Sequence, residues 1–144
     1  MRLLAQLMVL RTLLIVTALL ETPIGVMLLV SPASVVALLL GVSLEAPAAL
    51  VVARIAGAAL LSLSCACWLA RNDGPNRAVG GIVAAMLLYN SVAVAVLTNA
   101  GAGGRLVGVL MWPAVAVHAV LAVWCVACLR SRSASPSGRV RTNS

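Results

Sequence analysis

ALVVARIAGAALLSLSCACWLARNDGPNRAVGGIVAAMLLYNSVAVAVLT, residues 49–98, holds two long apolar runs on either side of one polar break, RNDGPNR at 71–77. Asn72, Asp73, Gly74 and Pro75 are turn formers, so the runs read as two segments folded back on each other in a tight antiparallel hairpin. Each run is about 20 residues or more, which as a helix crosses a hydrocarbon layer of about 30 Å. Hydrocarbon offers the backbone no hydrogen-bond partner, so a spanning segment is either a helix or a strand of a closed barrel. The alternation of polar and apolar residues that marks a barrel strand is absent from both runs.

The rest of the chain follows the same reading. Of 144 residues, 63% are hydrophobic and 9% charged, with a mean hydropathy of +1.15, which leaves too little polar surface to enclose a soluble core. Four spans are expected near 12–30, 48–70, 78–98 and 105–129, all within one domain over residues 1–129. NAGAGGR at 99–105 is a short link between the last two. The first connection is longer: Ser31 is placed to cap a helix with Pro32 at its first position, and PASVVALLLG would run as a short helix to Gly41. That helix is too short to span and reads as interfacial or re-entrant. The fold class is therefore an all-α membrane protein, a four-helix transmembrane bundle with one short extra helix between helices 1 and 2. RSRSASPSGRVRTNS at 130–144 is polar and basic and reads as a disordered tail.

All ten basic residues are arginine. If the spans alternate in direction, Arg2, Arg11, Arg71, Arg77, Arg130, Arg132, Arg139 and Arg141 share one side, while Arg105 alone falls on the other. The positive-inside rule then places both termini, and the tail, in the cytoplasm. The net charge of +7 follows from that bias and favours anionic lipid headgroups as its counterpart. Nucleic acid is not an expected partner, because these arginines flank membrane spans and the tail has no aromatic ring to stack on bases. Val16-Thr17-Ala18 looks like a signal-peptidase site, but Arg11 interrupts the apolar run before it and Glu21 follows closely, so the first helix is expected to stay on the chain.

Ionisable residues inside a membrane cost about 2.5–3.5 kcal/mol each at a helix centre, and they usually face the bundle interior or a wet cavity. Here each span carries polar groups near mid-depth: Glu21 in the first, Arg54 in the second, Tyr89 and Asn90 in the third, His118 in the fourth. If they point inward they form one tier, with Glu21 and Arg54 as its expected ion pair. Such a pair either fixes helix register or belongs to a site for a small polar ligand, a proton or a quinone headgroup. Pro23 and Pro113 lie close to Glu21 and His118 and are expected to kink their helices.

The four cysteines come in two pairs. Cys65 and Cys67 are two apart, hence on nearly opposite helix faces, and Cys125 and Cys128 lie nearer to one face. A closed zinc site needs four converging ligands, so no metal site is expected. Taking the tier as inward, the stripe from Arg54 through Ala58 and Leu61 brings Cys65 inward and turns Cys67 away, while the stripe from His118 carries Met111 and Cys125. Cys65 and Cys125 are then at similar depth and become a candidate thiol pair. The plainer reading is that each thiol packs as a small hydrophobe. Small residues four apart, Ala53 and Gly57, Gly80 and Ala84, Gly81 and Ala85, Gly104 and Gly108, suit close helix contacts. Trp68 and Trp124 fall toward the cytoplasmic interface and Trp112 toward the outer one.

No phosphate-binding loop occurs, and one histidine with three acidic residues leaves few members for a triad or a two-metal centre. These residues argue against a water-facing enzyme. ARIAGAALLSLSCACWLAR at 53–71, AAMLLYN at 84–90 and the preceding LLVSPASVVALLLG resemble small bacterial four-helix inner-membrane proteins of the DoxX-like and related uncharacterised families. The resemblance spans most of residues 12–129 and implies a compact inner-membrane bundle. DoxX-like proteins sometimes serve as small subunits of quinone-linked oxidoreductases, but no redox motif here carries that role over, so no cofactor is expected and quinone is the one the resemblance would bring into view. The expected role is an accessory or assembly subunit without chemistry of its own, partnered by lipid and by other membrane subunits or copies of itself. The alternatives are a small transporter or ligand-binding bundle built on the polar tier, and a redox subunit.

Overall fold

The structure, a computed structural model, describes residues 2–104 and 106–133. Five helices follow in order: α1 (Arg2–Val30), α2 (Pro32–Leu40), α3 (Pro47–Ala70), α4 (Arg77–Ala102) and α5 (Met111–Ser133). Four of them, α1, α3, α4 and α5, are long and apolar enough to cross a membrane, whereas α2 with nine residues is about 13.5 Å long and is not. The chain is thus an all-α, four-helix membrane bundle. Differences from the expected spans are at the ends: α1 starts ten residues early, and α5 starts six late and continues to Ser133, four residues into the segment read as tail. Arg105 and residues 134–144, with Arg139 and Arg141, lie outside the described residues.

Local chemistry accounts for most of the helix ends. Asn76 caps α4, its Oδ1 accepting from Val79 N–H at 2.9 Å. Pro32 and Pro47 open α2 and α3, where a missing N–H breaks no helical bond. Ser31 precedes α2 as expected, but its hydroxyl does not cap it and lies 2.7 Å from that of Ser34 instead. Pro113 is the third residue of α5, within the first turn, so it interrupts no hydrogen-bond ladder and the expected kink has no basis there. Pro23 does lie inside α1 and leaves the Leu19 carbonyl without its usual donor.

Packing orders the long helices cyclically as α1, α3, α4, α5, with α1 closest to α3 and α4 closest to α5. The α1–α3 crossing is set by Gly25 and Gly57: a Cβ on Gly57 would lie 2.8 Å from the Gly25 carbonyl oxygen. Only glycine permits that backbone approach, which replaces the hydrophobic drive that lipid cannot supply. The main core lies in the half of the bundle nearest the α3–α4 turn, where Leu13, Leu14, Val83, Met86, Cys67 and Cys125 are fully buried together. Outward positions such as Ile55, Leu69, Leu88 and Val123 are large, apolar and exposed, as a lipid-facing surface requires.

At the opposite end, α2 is tied down by backbone. Gly41 ends it in the left-handed conformation (φ 73°) with its N–H on the Ala37 carbonyl. The carbonyls of Leu39 and Leu38 accept from Gly108 and Leu110 N–H at 3.1 and 2.9 Å. A Cβ on Gly108 would sit 2.2 Å from the Leu38 oxygen, so the clasp requires glycine there. In this way helix-end carbonyls left free by α2 find donors in the link that precedes α5.

Candidate functional site: a polar layer at mid-depth

Three helices contribute to the layer. Glu21 on α1 is 5% exposed and Asn90 on α4 fully buried, with Tyr89 and His118 half-buried beside them. Tyr89 faces Glu21 across the bundle diagonal, its phenol close enough to the carboxyl group for the two to interact. Asn90 Nδ2 donates to the Met86 carbonyl at 2.7 Å, which fixes the amide with its oxygen toward α5. That oxygen lies 2.8 Å from His118 Nδ1; since an amide oxygen only accepts, Nδ1 donates. The His118 and Tyr89 rings meet edge to face at 5.4 Å, which closes a chain of contacts from α1 through α4 to α5. Tyr89 and Asn90 are adjacent in sequence, so about 100° of helix rotation sends one toward α1 and the other toward α5.

Arg54 is not part of this layer. It is exposed, and its Nε donates to the Leu29 carbonyl at 3.2 Å. The expected ion pair with Glu21 fails on depth. With Gly25 level with Gly57, Glu21 lies four residues to one side of the crossing and Arg54 three to the other, a separation of roughly 10.5 Å along the axis. Arg54 reaches toward the near membrane boundary instead, where it meets one of the last carbonyls of α1.

The same phase error reverses the second-span cysteines. Because Arg54 faces out, so does its stripe: Cys65 is exposed, whereas Gly57, Leu60, Ser64 and Cys67 face the interior. Cys65 and Cys125 are therefore not brought together. Cys67, Cys125 and Cys128 are the buried thiols, Cys67 lies within electrostatic reach of Cys125, and its Sγ donates to Met86 Sδ at 3.5 Å. Among the described residues, no group of three or more His, Cys, Asp or Glu is placed to hold a metal ion.

Two polar features were not anticipated. Thr22 and Ser64 hydroxyls approach the Ala18 carbonyl at 2.7 and 2.9 Å and each other at 2.5 Å, so two protons serve three contacts between α1 and α3. Thr22 precedes Pro23, and the sequence signal was that proline-adjacent hydroxyl opposite a serine on a small-residue stripe. Thr17, one turn before Glu21 on the same face, is fully buried and its Oγ1 has no hydrogen-bond partner among the described residues. Chemically the layer sets one carboxyl beside one phenol and hydrogen-bonds one amide to one imidazole, with no cation among these contacts of the described residues. Comparison with protein-family models, with curated proteins and with solved structures finds no match for this chain.

Proposed function

We propose that this multi-pass membrane protein is an accessory or assembly subunit of a bacterial inner membrane, without catalytic chemistry of its own, and with both termini in the cytoplasm. The observation that carries the reading is that the mid-depth polar groups engage one another: Tyr89 faces Glu21, and His118 donates to Asn90, which in turn donates to the Met86 carbonyl. Groups that spend their donors and acceptors on one another specify how the helices register. Orientation is supported by Arg11, Arg71, Arg77 and Arg130, which cluster at one end of the bundle. The resemblance to DoxX-like families, some of whose members are subunits of larger quinone-linked enzymes, fits the same role. Native gel electrophoresis of the tagged protein, extracted from its own membrane in mild detergent, tests it. Co-migration with a larger hetero-complex is the expected result, and migration as a free 14.7 kDa chain or as a homo-oligomer alone refutes it.

A second reading, a small transporter or ligand-binding bundle, is favoured by one observation: Thr17 presents a buried hydroxyl, without a partner among the described residues, one turn from Glu21. That hydroxyl and the carboxyl would then be the ligand's polar contacts. Under this reading Glu21→Gln abolishes transport or binding while membrane insertion stays intact; full activity in that variant removes it.

A further inference from the structure

On its outer face the α1–α3 pair carries a groove of about 330 Å³, lined by Leu19, Thr22, Leu61, Ser64, Cys65 and Trp68 with Ala18 at its floor. Its volume is at the small end of ligand clefts, which run from about 300 Å³ upward, and its lining is mostly apolar. The few polar atoms at the floor, the Thr22 and Ser64 hydroxyls, are already occupied with the Ala18 carbonyl and with each other. What lies in the groove is therefore expected to be a hydrocarbon, and the polar recognition must come from its mouth.

The mouth is cationic. The Arg71 guanidinium stacks on the groove-lining Trp68 ring at 4.0 Å from its centroid and also donates to the Trp68 carbonyl, so it is held over the end of the groove. Arg11 belongs to the same opening. Ala18 and Ser64 are in contact, and Arg11 and Arg71 are each seven residues from them toward the same end, so both lie roughly 10.5 Å along the axis at one level. Positions 11, 15, 18 and 22 form one stripe of α1, which puts exposed Arg11 on the groove side. Asp73, in the turn beyond Arg71, is the carboxylate nearest in sequence to Arg71 and Arg77.

We propose that this groove binds one anionic glycerophospholipid, its phosphate between Arg11 and Arg71 and one acyl chain along Leu19, Leu61 and Trp68. Bulk lipid offers a chain the same apolar contacts as the groove, so burial of the tail cannot by itself select the lipid. Selection comes from the paired guanidinium groups, whose planar donors suit a phosphate diester, with the groove fixing where the molecule sits. The site is independent of the accessory role proposed above.

Cys65 provides the reporter, because it lines the groove and is exposed while the other three thiols are buried. The experiment compares the full-length protein in nanodiscs of phosphatidylglycerol and of phosphatidylcholine with the same acyl chains, following alkylation of Cys65 by N-ethylmaleimide. Native mass spectrometry of the lipid retained from an equimolar mixture runs in parallel. Expected are slower Cys65 alkylation in phosphatidylglycerol by threefold or more and retention of one phosphatidylglycerol in preference to phosphatidylcholine. Arg11→Gln and Arg71→Gln should each reduce that preference about fivefold. Leu19→Trp, which fills the groove from its exposed rim, should abolish the protection with both arginines intact. Arg130→Gln, at the same end on α5, should leave both readouts unchanged. Equal loss on Arg130→Gln would mean diffuse surface charge, and protection by inorganic phosphate in detergent would mean a bare anion site. Either result, or equal protection by the two lipids, overturns the proposal.

Discussion

Arg54 on α3 donates through Nε to the carbonyl of Leu29, 3.2 Å away, and so closes the end of α1 from a neighbouring helix. A cation at a helix C-terminus meets both an orphan carbonyl and the negative end of the helix dipole. Arg54→Gln is therefore expected to destabilise the folded protein by about 0.5–1 kcal/mol in detergent denaturation. Combined with Glu21→Gln it should be additive within about 0.5 kcal/mol, because the two sites share no contact. A coupling energy well above that limit would show that they pair after all.

Tyr89 is the polar side chain that Glu21 does face. Removing the phenol oxygen leaves a buried carboxyl group without the polar neighbour that faces it, whereas an amide in place of the carboxyl keeps a polar group opposite the phenol. Tyr89→Phe is expected to cost about 1–3 kcal/mol and Glu21→Gln distinctly less, measured side by side by urea or sodium dodecyl sulfate titration. The reverse order would mean that the carboxylate charge, not the facing phenol, holds the layer.

Thr17 makes the opposite prediction. Its Oγ1 is fully buried without a partner among the described residues, so the hydroxyl's desolvation is uncompensated. Valine has nearly the same shape and no hydroxyl, and Thr17→Val should raise stability by about 1 kcal/mol. Loss of stability in thermal unfolding of that variant would reveal a polar partner for the hydroxyl.

Gly57 faces the Gly25 carbonyl oxygen and the Leu28 Cβ, both 2.8 Å from where its own Cβ would stand. Neither is the far end of a flexible side chain, so α1 and α3 must move apart to admit even a methyl group. Gly57→Ala should destabilise the bundle by about 1–3 kcal/mol, while Gly81→Ala, with nothing within 4 Å, should be tolerated. Protease sensitivity and thermal melting of the two variants give the comparison.

Much of this arrangement could be read from the residues, because a membrane chain has few polar groups and each constrains a helix face. On α1, α4 and α5 the polar residues did mark the interior: Thr17, Glu21 and Gly25 are buried together, as are Met86 with Asn90, and Met111 with Cys125. On α3 the rule misled. Arg54 is only seven residues from the start of its helix, close enough to the boundary for a long side chain to reach it from an outward face. A second stripe, with Gly57 and Ser64 among its members, competed with it and was the better guide, since small and hydroxyl-bearing residues mark where helices touch. The approach of Tyr89 to Glu21 was less legible. It crosses the bundle diagonally, and helical phase gives the direction of a side chain but not which of three facing helices it meets.

The clasp at Gly108 and Leu110 also orders events in time. Leu38 and Leu39 leave the ribosome roughly 70 residues before the N–H groups that will satisfy their carbonyls, a delay on the order of ten seconds at ordinary synthesis rates. Until then the newborn α2 carries backbone acceptors that need water or an insertase to hold them. Biogenesis of this protein therefore closes as a latch does, with α2 secured by a link made two membrane-crossing helices later.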